Sequence, residues 1–548
     1  MHIAPKGEAA IPDSRGLNFH HADPWGAAMA GLYLPPALFA HLQPHMSQLG
    51  ALVGDALDAE AAAADRNPPV LHHRNRRGED AQSIEYHPAY RAMERRAFAD
   101  YGLAAMSHRP GVLGWPETMP PAAKYALTFL FVQSEFGLMC PVNMTDSLAR
   151  TLRRHGSAEL VARYLPALTS TDMDGLRQGA MFMTEQGAGS DIAATSVVAE
   201  PDGDAWRLTG DKWFCSNPDA GMALVLARRG DAPGLKGVSL FLLPRELPDG
   251  TPNRYRIVRL KDKLGTRSMA SGEVRLEGAV AYLVGAPDAG FKQMADMVNS
   301  SRLSNGVRAA GMMRRACAEA VFVAQRRMAF GRRLLDMPLM RRQLVKLIMP
   351  AEQARSMMFQ TAEAMRLADA GDENARTLLR ILTPLIKFRA CRDARRVTGD
   401  AMEVRGGCGY IEEFPEARLL RDSHLGSIWE GTSNIVALDV LRAAEREEAL
   451  PVLAAHVRGL AGNADVAWGR AEALTRAALG NPALARQAAS ALYHATTAAA
   501  LGWEAKRLDC PGRAALAELV LRHRLLPRDP LAATDDTALE DAVLAVAA

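Results

Sequence analysis

Met181-Phe182-Met183-Thr184-Glu185-Gln186-Gly187-Ala188-Gly189-Ser190-Asp191 marks the point where the texture of this 548-residue chain changes. From Gly179 to about Gly285, β-branched and aromatic residues alternate with polar ones, and Gly, Pro, Asp and Asn recur as turn signals. An apolar approach, Met181 to Met183, thus runs into a β-rich middle region and ends on small residues and hydroxyls. Gly187, Ala188 and Gly189 let backbone N–H groups approach a phosphate closely, and Thr184 and Ser190 add donors. An ordinary tight turn has the same composition.

Upstream, from Asp23 to about Arg177, Ala-rich and Leu-rich stretches broken by Pro and Gly clusters form a helical first domain. Within it Asn67 to Asp80 reads as a long surface loop, whose Arg74, Arg76 and Arg77 could touch phosphate or simply solvent. In the middle region, Trp206 to Thr209, the pair Gly210-Asp211, and Lys212 to Phe214 read as a two-residue hairpin, because Gly-Asp supplies positive φ. Gly237 to Leu243 and Ser271 to Leu276 are two more strands. Downstream the helical period returns over Gly290–Arg332, Met337–Ala370, Asn374–Met402 and Thr432–Arg446, four segments that can pack as a bundle. The remainder, Glu447 to Ala548, is Ala-rich and helical, with 10 basic and 12 acidic residues. The expected fold is therefore α+β and multidomain: residues 1–178 an extension and helical domain, 179–285 a β-barrel or sandwich, 286–446 a four-helix bundle, and 447–548 an appended helical module.

Composition sets the outer limits. A chain of this length with 48% hydrophobic residues exceeds a single core, and 65 basic against 62 acidic residues leave only +3, so no polyanionic partner is demanded by net charge. The longest apolar run in the first third, Tyr125 to Val132, is far short of the roughly 20 residues a bilayer span needs. Met1 to Ala10 carries no export signal, so a cytoplasmic location is expected. The cysteines, Cys140, Cys215, Cys317, Cys391, Cys408 and Cys510, have no metal-ligand spacing and read mostly as packed thiols, with no metal site expected.

A second informative stretch, Arg421-Asp422-Ser423-His424-Leu425-Gly426-Ser427-Ile428-Trp429-Glu430-Gly431-Thr432-Ser433-Asn434, ends where a helix begins. Thr432, Ser433 and Asn434 are suitable caps, and Ile435, Leu438 and Leu441 repeat along one helical face. Glu430 is thereby delivered beside a positive helix N-terminus, where an anionic cofactor group can also sit. Taken alone, Glu430 beside Trp429 reads as an ordinary surface charge.

Together these stretches resemble the acyl-CoA dehydrogenase family over roughly residues 85 to 445. The motifs are MTEQGAGSD (183–191), KWFCSN (212–217), KLGTRS (263–268), RMAFG (327–331), GGCGY (406–410) and IWEGTSN (428–434). The N-terminal extension, Met139 to Val142, SIWEG and the appended module resemble the AidB-type alkylation-response flavoproteins within that family.

The resemblance implies FAD, held between the β-domain and the bundle of a homotetramer. It implies that Met181, Met183, Thr184 and Trp429 line the flavin, that Gly189 and Ser190 approach its phosphates, that Phe214 packs on the ring, and that Ser216 donates near N5. Thr432 and Asn434 would add donors from the helix end. Arg327, Phe330, Glu403, Gly406 and Gly407 would complete the adenine end from a neighbouring subunit, the arginine by its two-pronged grip on pyrophosphate. GGCGY is not a Rossmann fingerprint, since it lacks the third glycine and the βαβ setting.

Glu430 matches the family base that removes the α-proton of an acyl thioester while hydride leaves the β-carbon for the flavin. Its backbone N–H and a ribityl hydroxyl would bind the thioester oxygen, and Arg302 matches an arginine near the substrate. Three departures, Gln186 for a common proline, Pro338 for a cofactor-binding glutamine and Trp429 for a frequent tyrosine, put the acyl pocket and the adenine contact in question. Two readings therefore stand: an FAD-dependent acyl-CoA dehydrogenase with an unidentified electron acceptor, or a flavoprotein that binds and protects duplex DNA with residual dehydrogenation. The second would use basic clusters at Arg314-Arg315, Arg332-Arg333, Arg341-Arg342, Arg389 to Arg396 and Arg522 to Arg528, which otherwise read as solvated helix faces or subunit contacts.

Overall fold

A computed structural model describes residues 11–230, 232–460, 464–529 and 531–547; Met1 to Ala10 lie outside them. The chain divides into two compact units, one formed by residues 1–58, 121–134 and 305–548, the other by residues 59–120 and 135–304. The helices are α1 (Gly26–Tyr33), α2 (Pro36–Gly54), α3 (Ala56–Arg66), α4 (Pro88–Arg95), α5 (Pro121–Phe131), α6 (Met139–His155) and α7 (Ala158–Leu168) before the sheet. After it come α8 (Gly290–Arg326), α9 (Pro338–Asp369), α10 (Glu373–Arg405), α11 (Glu416–Ser423) and α12 (Ser433–Arg446). The appended region holds α13 (Ala449–Leu460), α14 (Ala464–Gly480), α15 (Ala485–Leu508), α16 (Pro511–Val520) and α17 (Thr537–Ala547). Among the described residues no helix is long and apolar enough to cross a membrane.

The second unit is built on strands β3 (Gly179–Phe182), β4 (Val198–Asp202), β5 (Ala205–Ser216), β6 (Met222–Arg229), β7 (Val238–Pro244), β8 (Tyr255–Leu260) and β9 (Ser271–Leu283). Pairing runs β6-β4-β5-β9-β7 and returns from β7 to β6, so these five strands close into a ring, with β3 added beside β6 and β8 beside β9. β7 is buried at every position and β6 at all but its last two, as the Val, Leu and Ala runs of these two strands require of barrel staves covered on both faces. The β-rich middle is thus a small barrel.

Two local expectations fail here for identifiable reasons. Asn67 to Asp80 is not a loop: β1 (Val70–Arg74) and β2 (Asp80–Glu85) form an antiparallel ribbon. Asn75 makes its turn by accepting from the N–H groups of Arg77 and Glu79 at 2.9 and 3.2 Å, and Gln82 exchanges two 2.8 Å hydrogen bonds with the backbone of Ile257 on β8. Backbone pairing carries the ribbon, and its exposed polar side chains conceal that. Gly210-Asp211 is not a hairpin either: β5 passes through it unbroken, and the reversal lies at Asp202 to Ala205, where Gly203 has φ 60°. Gly210 (φ 136°) instead lets the strand pass Val197, whose Cγ2 would lie 2.9 Å from an added Cβ.

Inside the barrel Lys212 is fully buried, and its Nζ donates to Glu185 Oε1 and to the Leu226 carbonyl, both at 2.7 Å. Glu185 Oε2 accepts from the Ser196 N–H at 2.7 Å and its hydroxyl at 2.6 Å. Burial opposes the charge on Glu185, but the Lys212 ammonium and the Ser196 donors together hold its carboxyl below the usual range.

In the first unit, α9 and α10 form the most extensively packed helix pair, joined by α12 and α15. α8 ends at Arg326 rather than Arg332, and the chain turns back through β10 (Met328–Ala329) and β11 (Arg332–Arg333), with φ 52° at Phe330 and 76° at Gly331. Pro338 is the first residue of α9, where its missing N–H leaves no helix bond unmade. The appended helices are tied in by buried charge: Arg513 on α16 pairs with Glu504 on α15 and, at 2.9 Å, with Glu352 on α9. Arg355 on α9 reaches Asp23 at 2.7 Å. Arg314 and Arg315, read as surface charges, are 3% and 2% exposed; Arg315 pairs with Glu319 at 2.7 Å, and Arg314 lies 3.8 Å from Asp23. Cys140, Cys215, Cys317 and Cys391 are buried free thiols, and Cys408 and Cys510 are half-buried.

The barrel pair has a testable consequence. Lys212→Met leaves a carboxylate buried without its cation, and calorimetric unfolding should show a loss of about 3–5 kcal/mol. Lys212→Met combined with Glu185→Leu should recover most of it. Equal losses in the two variants would mean that packing, and not charge, is what Lys212 contributes. In the unmutated protein burial also pulls the Lys212 ammonium below its usual range, so the pair is ionised only between Glu185's lowered pKa and Lys212's, and the carboxylate's contribution should disappear as pH falls through Glu185's value.

Candidate functional site

The residues singled out by motif fall into two groups, one in each unit. In the barrel unit Met181 lies on β3, opposite Leu224 of β6 and half-buried, and Met183 and Thr184 follow at the strand's end. The Thr184 carbonyl accepts from the Trp213 N–H at 2.8 Å, which brings the MTEQGAGSD turn against the end of β5. That turn closes on itself through reciprocal Glu185 and Ala188 backbone bonds of 3.0 and 3.2 Å, leaving Gly187, Gly189 and Ser190 exposed. Phe214 is 57% exposed, unusual for a large apolar ring, and Ser216 is half-buried two residues on, opposite Ser271. Arg302 is half-buried on α8 and donates to Asn299 at 3.2 Å.

Sequence reading missed Lys261 here. Its Nζ sits 3.3 Å from the centroid of Trp213 and 4.9 Å from that of Phe214, and it pairs with Glu273 at 2.6 Å. Only register could have found it, since β8 must be aligned on β9 before Lys261 falls beside β5.

In the other unit Arg327 Nη1 donates to the Arg405 carbonyl at 2.8 Å and lies 3.1 Å from where a Cβ on Gly406 (φ 72°) would stand. The structure therefore joins RMAFG to GGCGY. Phe330 is 94% exposed at the hairpin tip, and Glu403 and Gly407 are exposed as well. Leu339 and Tyr410 are also exposed, at 84% and 81%, so large apolar side chains face outward near both motifs.

The remaining residues surround the start of α12. Glu430 has φ 48° and Gly431 φ 100°, so the chain enters the helix through two left-handed residues, an uncommon state for a glutamate. Thr432 is the N-cap and its side chain makes no capping bond; Asn434 lies exposed in the first turn. Asn305 on α8, fully buried, donates from Nδ2 to Glu430 Oε2 and accepts at Oδ1 from the Trp429 indole at 2.6 Å. Arg308 stacks 4.9 Å over the Trp429 ring, and Lys387 of α10 donates to the Gly431 carbonyl. Cys391 donates to the Asn305 carbonyl at 3.5 Å, and burial, with Glu430 adding a smaller push, raises its thiol to about 11. Asn305, Arg308 and Lys387 were not legible as site residues, because buried polar positions on a long helix carry no motif of their own.

Chemically, the second group offers an oriented carboxylate beside the uncapped N–H groups of a 14-residue helix, a setting for general-base chemistry next to a bound anion. The first offers exposed glycine backbone, a hydroxyl and an outward aromatic.

Three family models match successive segments: the AidB N-terminal domain over residues 33–175, the acyl-CoA dehydrogenase middle domain over 180–279, and the acyl-CoA dehydrogenase C-terminal domain over 288–445. The chain is similar to the AidB protein of Escherichia coli (strain K12), with 34% identity over 417 residues, 73% of this chain and 74% of that protein. Its fold matches the crystal structure of Caenorhabditis elegans ACDH-11 in complex with C11-CoA at a TM-score of 0.88 and 26% identity, covering 96% of this chain and 95% of the other. It matches the apo form of Bd2924 at a TM-score of 0.84 and 31% identity, over 91% and 100% of the two chains. The protein belongs to the acyl-CoA dehydrogenase family, with an AidB-type N-terminal domain.

Proposed function

We propose that the protein is an FAD-dependent dehydrogenase of acyl-CoA thioesters in which Glu430 removes the substrate α-proton. The observation that carries this reading is the Glu430 carboxylate held by Asn305 at the entrance to α12. The residues present fit a flavin dinucleotide: a Cβ at Gly187 or Gly407 would meet nothing within 4 Å, so backbone N–H groups are open to phosphate oxygens, and the N-terminus of α12 is not capped by its own side chain. Met181, Met183, Thr184, Gly189, Ser190, Phe214, Ser216, Trp429, Thr432 and Asn434 would contact the cofactor, and Arg327, Phe330, Glu403, Gly406 and Gly407 would contact a copy held by a neighbouring subunit. FAD supplies the hydride acceptor. The Glu430 carboxylate takes the α-proton, its backbone N–H donates to the thioester oxygen as charge develops there, and Arg302 would contact the substrate. The acyl-CoA bound by the nematode relative supports a thioester as substrate.

Exposed Phe330, Leu339 and Tyr410 support an oligomer in which a second copy covers this face. The chain should run as a tetramer by light scattering, and Phe330→Asp should lower the mass and weaken FAD retention together. A wild-type monomer that keeps its flavin would refute shared binding.

The central test is anaerobic titration of the yellow holoprotein with short and branched acyl-CoAs. At least one should bleach the flavin, and Glu430→Gln should stay yellow and lose bleaching by at least about a hundredfold, the lower range for a lost general base. No bleaching across the panel, or an active Glu430→Gln, removes the reading.

A second reading, binding of duplex DNA, is favoured by one observation. Most basic clusters are neutralised internally: Arg333 by Asp336 at 2.9 Å, Arg342 by Glu540 at 2.9 Å, Arg389 by Asp393 at 2.7 Å and Arg522 by Glu518 at 2.7 Å. Arg392 and Arg524 are different. Burial, then the cations Arg486, Arg395 and Arg389, pull Arg392 below the usual arginine value; burial, then Arg396, Arg389 and Arg528 against the opposing pull of Asp393, do the same for Arg524. A local excess of arginine is what a phosphate backbone relieves. DNA affinity should therefore fall steeply with salt, and Arg392→Ala with Arg524→Ala should flatten the log–log slope by about two. An unchanged slope would place any DNA contact elsewhere.

A further inference from the structure

Arg405 is the last residue of α10, and its guanidinium is committed on three sides. Nε donates to Glu416, the first residue of α11; Nη2 donates to Glu319 Oε2 on α8 at 2.7 Å; and Nη1 donates to the carbonyl of Pro12 at 2.8 Å. The group also lies 4.4 Å over the Phe414 ring. Arg405, Glu319 and Glu416 are all buried. Acceptors from three separate elements, set around one planar fork, allow that fork a single placement. The Pro12 contact spans 393 residues of sequence, and Ser14 reinforces it by donating to Glu319 Oε1 at 2.7 Å.

The backbone of the same residue serves the candidate site. The Arg405 carbonyl accepts from Arg327 Nη1 at 2.8 Å, and Gly406 follows with φ 72°, its N–H donating to the Glu403 carbonyl. A Cβ on Gly406 would stand 3.1 Å from Arg327 Nη1, so the Arg327 guanidinium is packed against the loop as well as bonded to it. Arg327 is otherwise exposed, and among the described residues this is the one hydrogen bond its guanidinium makes. Residues 406–415, which carry GGCGY, run from Arg405 to Glu416. The bond between those two side chains therefore ties the ends of that loop together.

We propose that Arg405 is the positioning residue for the adenine end of the dinucleotide site: by closing the neck of the 406–415 loop and fixing the carbonyl that holds Arg327, it sets the Gly406 and Gly407 backbone and the arginine fork in place before the cofactor arrives. This rests on the reading of Arg327, Gly406 and Gly407 as cofactor contacts. A site that must order a loop and a long side chain on binding loses affinity, and one that is already ordered does not. Pro12 and Ser14 belong to the same device, because they complete the surroundings of Arg405 and Glu319.

Removing Arg405 alone would leave two buried carboxylates facing each other: burial, and then Glu319, already push Glu416 up to about 6 against the pull of Arg405. The test therefore removes charge in balance, with Arg405→Leu and Glu416→Leu combined, while Glu319 keeps Arg315 at 2.7 Å. The first readout is hydrogen exchange of the full-length protein with its flavin removed. In the double variant the amides of 406–410 and those of 13–17 should exchange roughly 10-fold faster than in the wild type, while α9 keeps its protection. The second is the dissociation constant for FAD, from quenching of flavin fluorescence, which should rise roughly 10-fold. Arg405→Lys keeps the charge but cannot offer a fork to three acceptors, so it should give smaller changes of the same sign in both. Unchanged exchange at 406–410, faster exchange spread evenly over the chain, or an unmoved FAD constant would each overturn the proposal and leave Arg405 a packing charge. If the double variant does not fold, Arg405→Lys decides by the same two measurements. If the wild type binds no FAD, the cofactor reading falls, and the exchange data separately establish whether Arg405 holds the loop.

Discussion

The backbone at Glu430 and Gly431 is the constraint on which the candidate site depends. A left-handed glutamate costs on the order of 1–3 kcal/mol relative to an ordinary conformation, and it persists only where its surroundings over-determine it. Here they do so from two helices. Lys387 holds the Gly431 carbonyl, and Asn305 holds the Glu430 carboxylate while being held by Trp429. Those donors are in reach because α8 and α10 approach closely at Gly306, where any larger residue would strike Ile386. One glycine in a helix interior, unfavourable by about 1 kcal/mol on propensity alone, is therefore tied to the geometry of a carboxylate more than a hundred residues away.

Elsewhere the interior is organised by buried charge. Lys212 with Glu185 in the barrel, and Arg513, Arg355 and Arg405 with their carboxylates in the helical unit, are all almost wholly removed from water. Such pairs add little net stability against an apolar alternative, because desolvation offsets most of the attraction, but a broken pair is costly. Their effect is to select one arrangement. Arg513 can satisfy both Glu504 and Glu352 only if α16, α15 and α9 meet in a single register, which makes the appended helices part of the same packed unit as the bundle. Lys212 does the same at the turn that follows β3, since Glu185 cannot reach both its cation and Ser196 unless that turn is closed.

The parts of this architecture that were legible in the sequence are those written in periodicity. The barrel strands and the long helices announce themselves through alternation or a 3.6-residue repeat, and the motif stretches lie at the ends of those elements, where composition is most constrained. What was not legible depends on pairing across distance. The β1–β2 ribbon is polar on its exposed faces, so only its backbone register identifies it. Gly210 has the composition of a turn and serves a close approach to Val197. Arg314 and Arg315 look like a basic surface patch until Glu319, one helical turn on, and Asp23 are seen to meet them inside the protein. Asn305 follows the recognised Arg302 by three residues on the same helix, but a periodic pattern scores it as an interrupted apolar face and says nothing about what it binds.

The same distinction bears on the chain's charge. A net charge of +3 describes neither the interior nor the surface, because the carboxylates are distributed unevenly. Glu319, Glu352, Glu504 and Asp23 are all committed to buried arginines. The arginines of α10 must therefore share the few acids within reach. Asp393 answers Arg389, but Arg392, Arg395 and Arg396 follow on the same helix, with Arg486 and Arg524 brought alongside by the appended region. Repulsion among them raises the free energy of the fold, and water relieves it only in part where the groups are half-buried. A bound polyanion would relieve it more fully, so the appended helices both complete the packing of the bundle and concentrate positive charge against α10.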